Sequence, residues 1–122
     1  MRVFVLFSLF AIPFLGRGQQ HNLLGPDVAR QELAKAFHNK RERQVIYDKV
    51  IPDKATAIAV AEQMLFRLYG KDQIIKERPY EVYLIDGYWV LNGTLPKGMV
   101  GGTFLIILSE KDGRVVKLTH YK

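Results

Sequence analysis

The chain has 122 residues, 48% hydrophobic and 25% charged, a length and balance suited to one globular domain with its own core. Its 18 Lys and Arg outnumber 12 Asp and Glu, but only Lys40-Arg41-Glu42-Arg43 forms a cluster. A nucleic-acid binder calls for a basic stripe with interleaved aromatics, which this pattern lacks, and the absence of cysteine excludes a disulfide framework, a thiolate zinc site and a lipid-modified N-terminal cysteine.

In chain order, Met1-Arg2 gives a positive start, and Val3 to Leu15 is apolar apart from Ser8. Gly16-Arg17-Gly18 then places small residues two apart, the spacing a signal peptidase reads. Residues 1–18 are therefore expected to be a secretory signal peptide, with a periplasmic or secreted mature chain beginning near Gln19. The apolar run is shorter than the ~20 residues that span a bilayer as a helix. An uncleaved, envelope-facing membrane anchor is the alternative. Loss of Arg2 and Arg17 would leave 16 basic against 12 acidic side chains.

Residues 19–44 hold a turn signal, Gly25-Pro26-Asp27, and a weak helical stripe of Val28, Leu33, Ala36 and Phe37. This segment reads as a peripheral helix or a tether. Residues 45–122 carry the expected domain. Val45 to Ile51 alternates and suits a short strand or an extended lead-in. Pro52 disfavours helix at Ile51, and Asp53 is placed to cap a helix running from about Lys54 to Tyr69, with Gly70 at its end. Ala57, Ala61, Met64, Leu65 and Leu68 are expected to share its apolar face.

Four strands follow, near 80–85, 88–95, 102–109 and 114–121. Asp86-Gly87 is a two-residue hairpin signal, and Glu110-Lys-Asp-Gly113 is a second turn. Phe104 to Leu108 is apolar at every position, as a central strand would be. The Gly101-Gly102 pair suggests a bulge entering that strand. The short turns imply an antiparallel meander. The fold class is α+β: one main helix on a curved four-stranded antiparallel meander sheet, with room for an extra N-terminal helix. A sheet has two faces and one helix covers one. Tyr83, Ile85, Trp89 and Leu91, or their opposite-face neighbours, must be covered by residues 19–44 or by a partner.

Chemistry-bearing motifs are few. His21, His38 and His120 have no metal-ligand spacing. Glu62 is the carboxylate that would make an acid–base pair with His120 if the fold joins them. Gly93 and Gly98 have phosphate-loop spacing, yet Met99-Val100 stands where lysine and a hydroxyl residue are required. No catalytic set, metal site or cofactor is expected. The expected contact surface is the open sheet face with the 95–100 loop. Tyr83 and Trp89 are its candidate aromatic anchors, Met99 an adaptable apolar contact and Lys97 a rim charge. Trp89 has a core reading as well.

Several strings also stand together in a known order: Val50-Ile-Pro-Asp-Lys, Ala57-Ile-Ala-Val-Ala-Glu, Tyr69-Gly-Lys, Gly87-Tyr-Trp-Val, Gly93-Thr-Leu-Pro-Lys-Gly98, Gly101-Gly102 and Lys111-Asp-Gly-Arg-Val-Val-Lys-Leu-Thr-His120. In this order and spacing the chain resembles the bacterial immunity proteins with a nuclear transport factor 2-like fold. The resemblance implies a non-catalytic binder that neutralises a cognate protein toxin. The signal-like start is not part of it and would restrict the toxin to one acting outside the cytoplasm. The basic surplus fits poorly with capping a basic nuclease and better with a toxin of cell wall or membrane. Two rivals stand open: an envelope ligand-binding or enzymatic domain using a helix–sheet cavity with His120 or Glu62, and a structural envelope protein held by its N-terminus.

Overall fold

A computed structural model describes Gly16 and residues 18–122. The expected signal segment, apart from Gly16 and Gly18, lies outside the described residues. The chain divides into two compact units, Met1–Arg43 and Gln44–Lys122.

In the first unit, α1 spans Gly25–His38, with proline in its first turn. Every residue of α1 is at least partly exposed, and Phe37 is capped by the Arg43 guanidinium at 5.4 Å from the ring centroid. Two backbone carbonyls near the helix end, of Ala36 and Phe37, also accept from Arg43. That closes the C-terminal turn with a cation where the helix dipole favours one.

The second unit holds α2 (Lys54–Tyr69), α3 (Lys71–Lys76), β1 (Glu81–Ile85), β2 (Tyr88–Asn92), β3 (Phe104–Ser109) and β4 (Val115–His120). Asp53 caps α2 through its side chain, which accepts from the Thr56 amide at 2.8 Å. Ala57, Ala61 and Leu65 recur every four residues and are buried against the sheet. Small residues at two of the three positions let the helix axis approach β2 closely. Leu68, expected on this face, is 58% exposed instead, because α3 starts at once and turns the chain away. This short helix occupies an interval in which the sequence pattern predicts no element. Its one buried side chain is Ile74.

The sheet runs β1-β2-β3-β4 in space, every pair antiparallel. Residues 45–51 form no strand. The segment is instead held by two amides, of Val50 and Ile51, which donate to the carbonyls of Lys111 and Glu110. Ile51 thereby closes one end of the core at 1% exposure.

Asp86 and Gly87 both have positive φ, 50° and 82°, as a two-residue hairpin requires. Ile85 therefore pairs with Tyr88, Leu84 with Trp89, and Val82 with Leu91. Trp89 and Leu91 consequently face the helices, joined across the sheet by Leu108 and Ile106. Tyr83 and Ile85 face the other way, beside Val90 and Tyr88. Grouping Tyr83, Ile85, Trp89 and Leu91 on one face is thus corrected: the hairpin splits them into two pairs. The bulge is also displaced from Gly101-Gly102. The pairing shifts between Ile107 and Leu108, opposite β4, where Val116 is the extra residue.

Candidate functional site

Three constellations in the second unit have the ingredients of a site. The first is the outer sheet face. Ile85, Asp86, Tyr88, Val90, Ile107 and Val116 line a hollow of ≈ 370 Å³ on it. Ile85 is 54% exposed, Tyr83 51% and Val116 50%. Near the β1 edge, the Glu81 carboxylate accepts from the Tyr83 hydroxyl at 3.2 Å and the Asn92 amide at 2.8 Å. Glu81 as acceptor also holds the Tyr83 phenol protonated, raising its pKa. At the opposite end of β2 and β3 from this hollow, the β2–β3 loop carries Lys97, Met99 and Val100, all exposed. A hollow that is apolar over most of its lining, with one carboxylate and tyrosine hydroxyls at its rim, suits a protein partner.

The second is a groove of ≈ 520 Å³ lined by Lys54, Ile58, Glu62, Arg78, Pro79 and Tyr80. One oxygen of Glu62 accepts from the Arg78 guanidinium at 2.6 Å and from the Tyr80 hydroxyl at 2.9 Å. The charge-assisted bond to Glu62 raises the Arg78 pKa, and burial raises that of Tyr80. The sequence brought Glu62 forward as a partner for His120. The structure gives Glu62 to Arg78 and Tyr80.

The third is Glu77, which sequence reasoning missed. It caps the end of α3 with a side chain only 1% exposed. Its Oε1 accepts from the Phe104 amide at 2.8 Å, and its Oε2 lies 3.1 Å from His120 Nε2. His120 Nδ1 lies 2.7 Å from the Tyr121 carbonyl, and the ring rests on Tyr69 with centroids 5.2 Å apart. Both ring nitrogens are thus engaged within the protein. The available signal was weak: Glu77 sits between Lys76 and Arg78 and looks like one charge in a solvated run.

The four candidate contact residues separate. Tyr83 lies on the outer face, and Lys97 and Met99 on the loop. Trp89 lies inside the core at 7% exposure, its indole N–H donating to the Ile51 carbonyl at 2.9 Å. The exposed large side chains beside it are Tyr88, its neighbour in β2, and Ile85, the cross-strand partner of Tyr88.

Comparison with known proteins agrees with this architecture. The family described as NTF2 fold immunity protein matches residues 56–122, which hold all but the first two residues of α2, the whole of α3 and all four strands. YhhH, an uncharacterized protein of Escherichia coli (strain K12), is 34% identical over 74 residues, 60% of this chain and 58% of that protein. YbbC, a second uncharacterized protein of the same strain, is 32% identical over 73 residues, 59% of this chain and 60% of that protein. The match thus spans less than two thirds of either relative. No solved structure matches the chain significantly. An α+β unit with an open antiparallel meander, matched by the family over more than half of the chain, belongs to the NTF2 fold immunity proteins, whose general role is to bind and neutralise a toxin.

Proposed function

We propose that this protein neutralises its toxin by seating it on the outer face of the sheet and on the adjoining β2–β3 loop. The observation that supports this is the exposed apolar face itself: Tyr83, Ile85, Tyr88 and Val116 stand in solvent on a sheet whose other face is closed by α2. An apolar surface of this kind, rimmed by hydroxyls and charges, marks an interaction site. The chain acts as a binder, not as a catalyst. The signal-like pattern of Arg2, Val3 to Leu15 and Gly16-Arg17-Gly18 supports action outside the cytoplasm, in the periplasm or beyond.

The test is protection against a toxin, sought first among the products of the neighbouring genes. Ile85→Asp with Val116→Asp buries two carboxylates in the contact. The double variant should lose protection and toxin binding while its melting temperature stays near that of the parent. Full protection by that variant would move the contact elsewhere. Protection that depends instead on Glu62 or His120, in variants that still fold and bind, would point to catalysis. A second reading, a small-ligand site, draws on the ≈ 520 Å³ groove beside Glu62 and Arg78. Loss of protection in Arg78→Ala with the sheet face intact would favour it.

A further inference from the structure

Glu77 touches both ends of the loop that carries Lys97, Met99 and Val100. At the β2 end, its carbonyl accepts from the Thr94 amide at 2.8 Å. At the β3 end, its carboxylate accepts from the Phe104 amide at 2.8 Å. Gly93 lies directly on the Glu77 side chain: a Cβ there would fall 2.8 Å from Glu77 Cβ and 2.9 Å from Oε1. From the edge strand β4, on the same face of the sheet, His120 reaches the same carboxylate, and His120 is the cross-strand partner of Phe104. Tyr121, next in the chain, donates its amide to the Thr103 carbonyl at 3.0 Å, and its own carbonyl packs against Gly102. Glu77, through its carboxylate and its carbonyl, and His120 with the Tyr121 backbone beside it therefore fasten both ends of the loop.

A proton count sharpens the point. The Tyr121 carbonyl can only accept, so His120 Nδ1 carries a hydrogen. Glu77 Oε1 is occupied in accepting from Phe104. Between Oε2 and Nε2, 3.1 Å apart, there is room for one proton. It sits on the ring, giving an imidazolium–carboxylate pair, or on the carboxyl, giving a neutral pair. Remove it, and either two lone pairs face each other at Glu77 or the remaining ring hydrogen moves to Nε2 and the Tyr121 carbonyl loses its donor, so one of the two fastenings of the ring fails. The other titratable group against the ring is Tyr69 of α2; β3 contributes the Phe104 amide, and the chain after β4 contributes the Tyr121 carbonyl.

We propose that Glu77 is a positioning residue for the contact loop, acting through a proton shared with His120, so that the loop is fastened when the proton is present and loosened when it is lost. The proposal rests on the loop being part of the toxin contact, but its test does not require the toxin. Amide hydrogen exchange of the free full-length chain is measured from about pH 5 to about pH 8, the range in which histidine ordinarily changes charge, and corrected for intrinsic exchange. Protection at Thr94, Phe104 and Tyr121 should fall about tenfold or more relative to that of Leu91 and Ile106 as the proton leaves. Glu77→Gln keeps the acceptor for Phe104 and presents an amide N–H to a neutral His120. In that variant the loop should stay protected and the pH dependence should vanish.

A merely structural Glu77 would lower protection in Glu77→Gln at every pH and leave the slope unchanged, which would overturn the proposal. Should Glu77→Gln fail to fold, ¹⁵N chemical shifts of the His120 ring in the parent chain decide. Two protonated nitrogens at low pH, or one beside a protonated Glu77 carboxyl, with the change tracking loop protection, support the shared proton. A ring whose state never changes across the range, or changes with no effect on the loop, refutes it. Toxin binding that is lost without any loop response would count against the contact assignment and leave the latch standing.

Discussion

The indole N–H of Trp89 donates to the carbonyl of Ile51 at 2.9 Å. This one bond joins the second strand to the segment that leads into α2, across 38 residues of chain. The ring stands where the sheet, the N-terminal side of α2 and the β3–β4 turn converge, and it fills space that no smaller side chain would fill.

Trp89→Ala is therefore expected to destabilise the domain by about 3–5 kcal/mol, the range for truncating a buried aromatic. Trp89→Phe keeps most of the volume and leaves the Ile51 carbonyl without this donor, for a smaller loss of about 1–3 kcal/mol. Chemical denaturation of the two variants checks the order. Equal losses would mean that the hydrogen bond to Ile51, not the packing of the ring, carries the effect.

Gly93→Ala is expected to be costly although alanine is small. Its methyl carbon would collide with the side chain of Glu77, which is buried and tied to Phe104 and His120. Forcing that contact apart should cost about 1–3 kcal/mol, as overpacking does. Thermal melting of Gly93→Ala beside Gly98→Ala gives the comparison, since the surroundings of Gly98 are open space and its penalty comes from its φ of 83°.

Asp53 ties acid stability to a single cap. Hydrogen bonds from the Thr56 amide lower its pKa in the fold. A depressed carboxylate contributes stability above its unfolded pKa of about 3.9, and that contribution is lost as pH falls through the folded value. Asp53→Ala should melt a few degrees lower at neutral pH and approach the parent in strong acid. A constant gap across the acid range would show that the charge of the cap is immaterial.

Lys97→Ala and Met99→Ala should leave thermal stability nearly unchanged, because both side chains stand in solvent. Surface plasmon resonance against the toxin separates their roles. Lys97→Ala should act on the association rate and its salt dependence, Met99→Ala on the dissociation rate.

The long elements were legible because each is punctuated by a residue with one strong local preference: Asp53 before α2, Asp86-Gly87 between β1 and β2, Gly113 before β4. α3 was not, since six residues are too few for a helical period to show and Gly70 reads as an ending. Which face each strand residue takes depends on a single step, the pairing of Ile85 with Tyr88. Once that is fixed, Trp89 must fall on the helix side and Tyr88 outside. Glu77 was out of reach for another reason. Its burial comes from Phe104, 27 residues away, and His120, 43 residues away. No local pattern around Lys76-Glu77-Arg78 encodes such partners.

Each strand lies beside its neighbour in sequence, so the sheet asks little of the connection between Asn92 and Phe104. That connection is fastened near its ends, at Thr94 and at Thr103 and Phe104, and is free between them. Doubling a free loop costs only about 0.6 kcal/mol of closure entropy. The interval around Lys97 and Met99 can therefore lengthen, shorten or change composition between descendants while the barrel-less sheet beneath keeps folding as before. A protein that must follow a changing adversary would find its cheapest adaptation there.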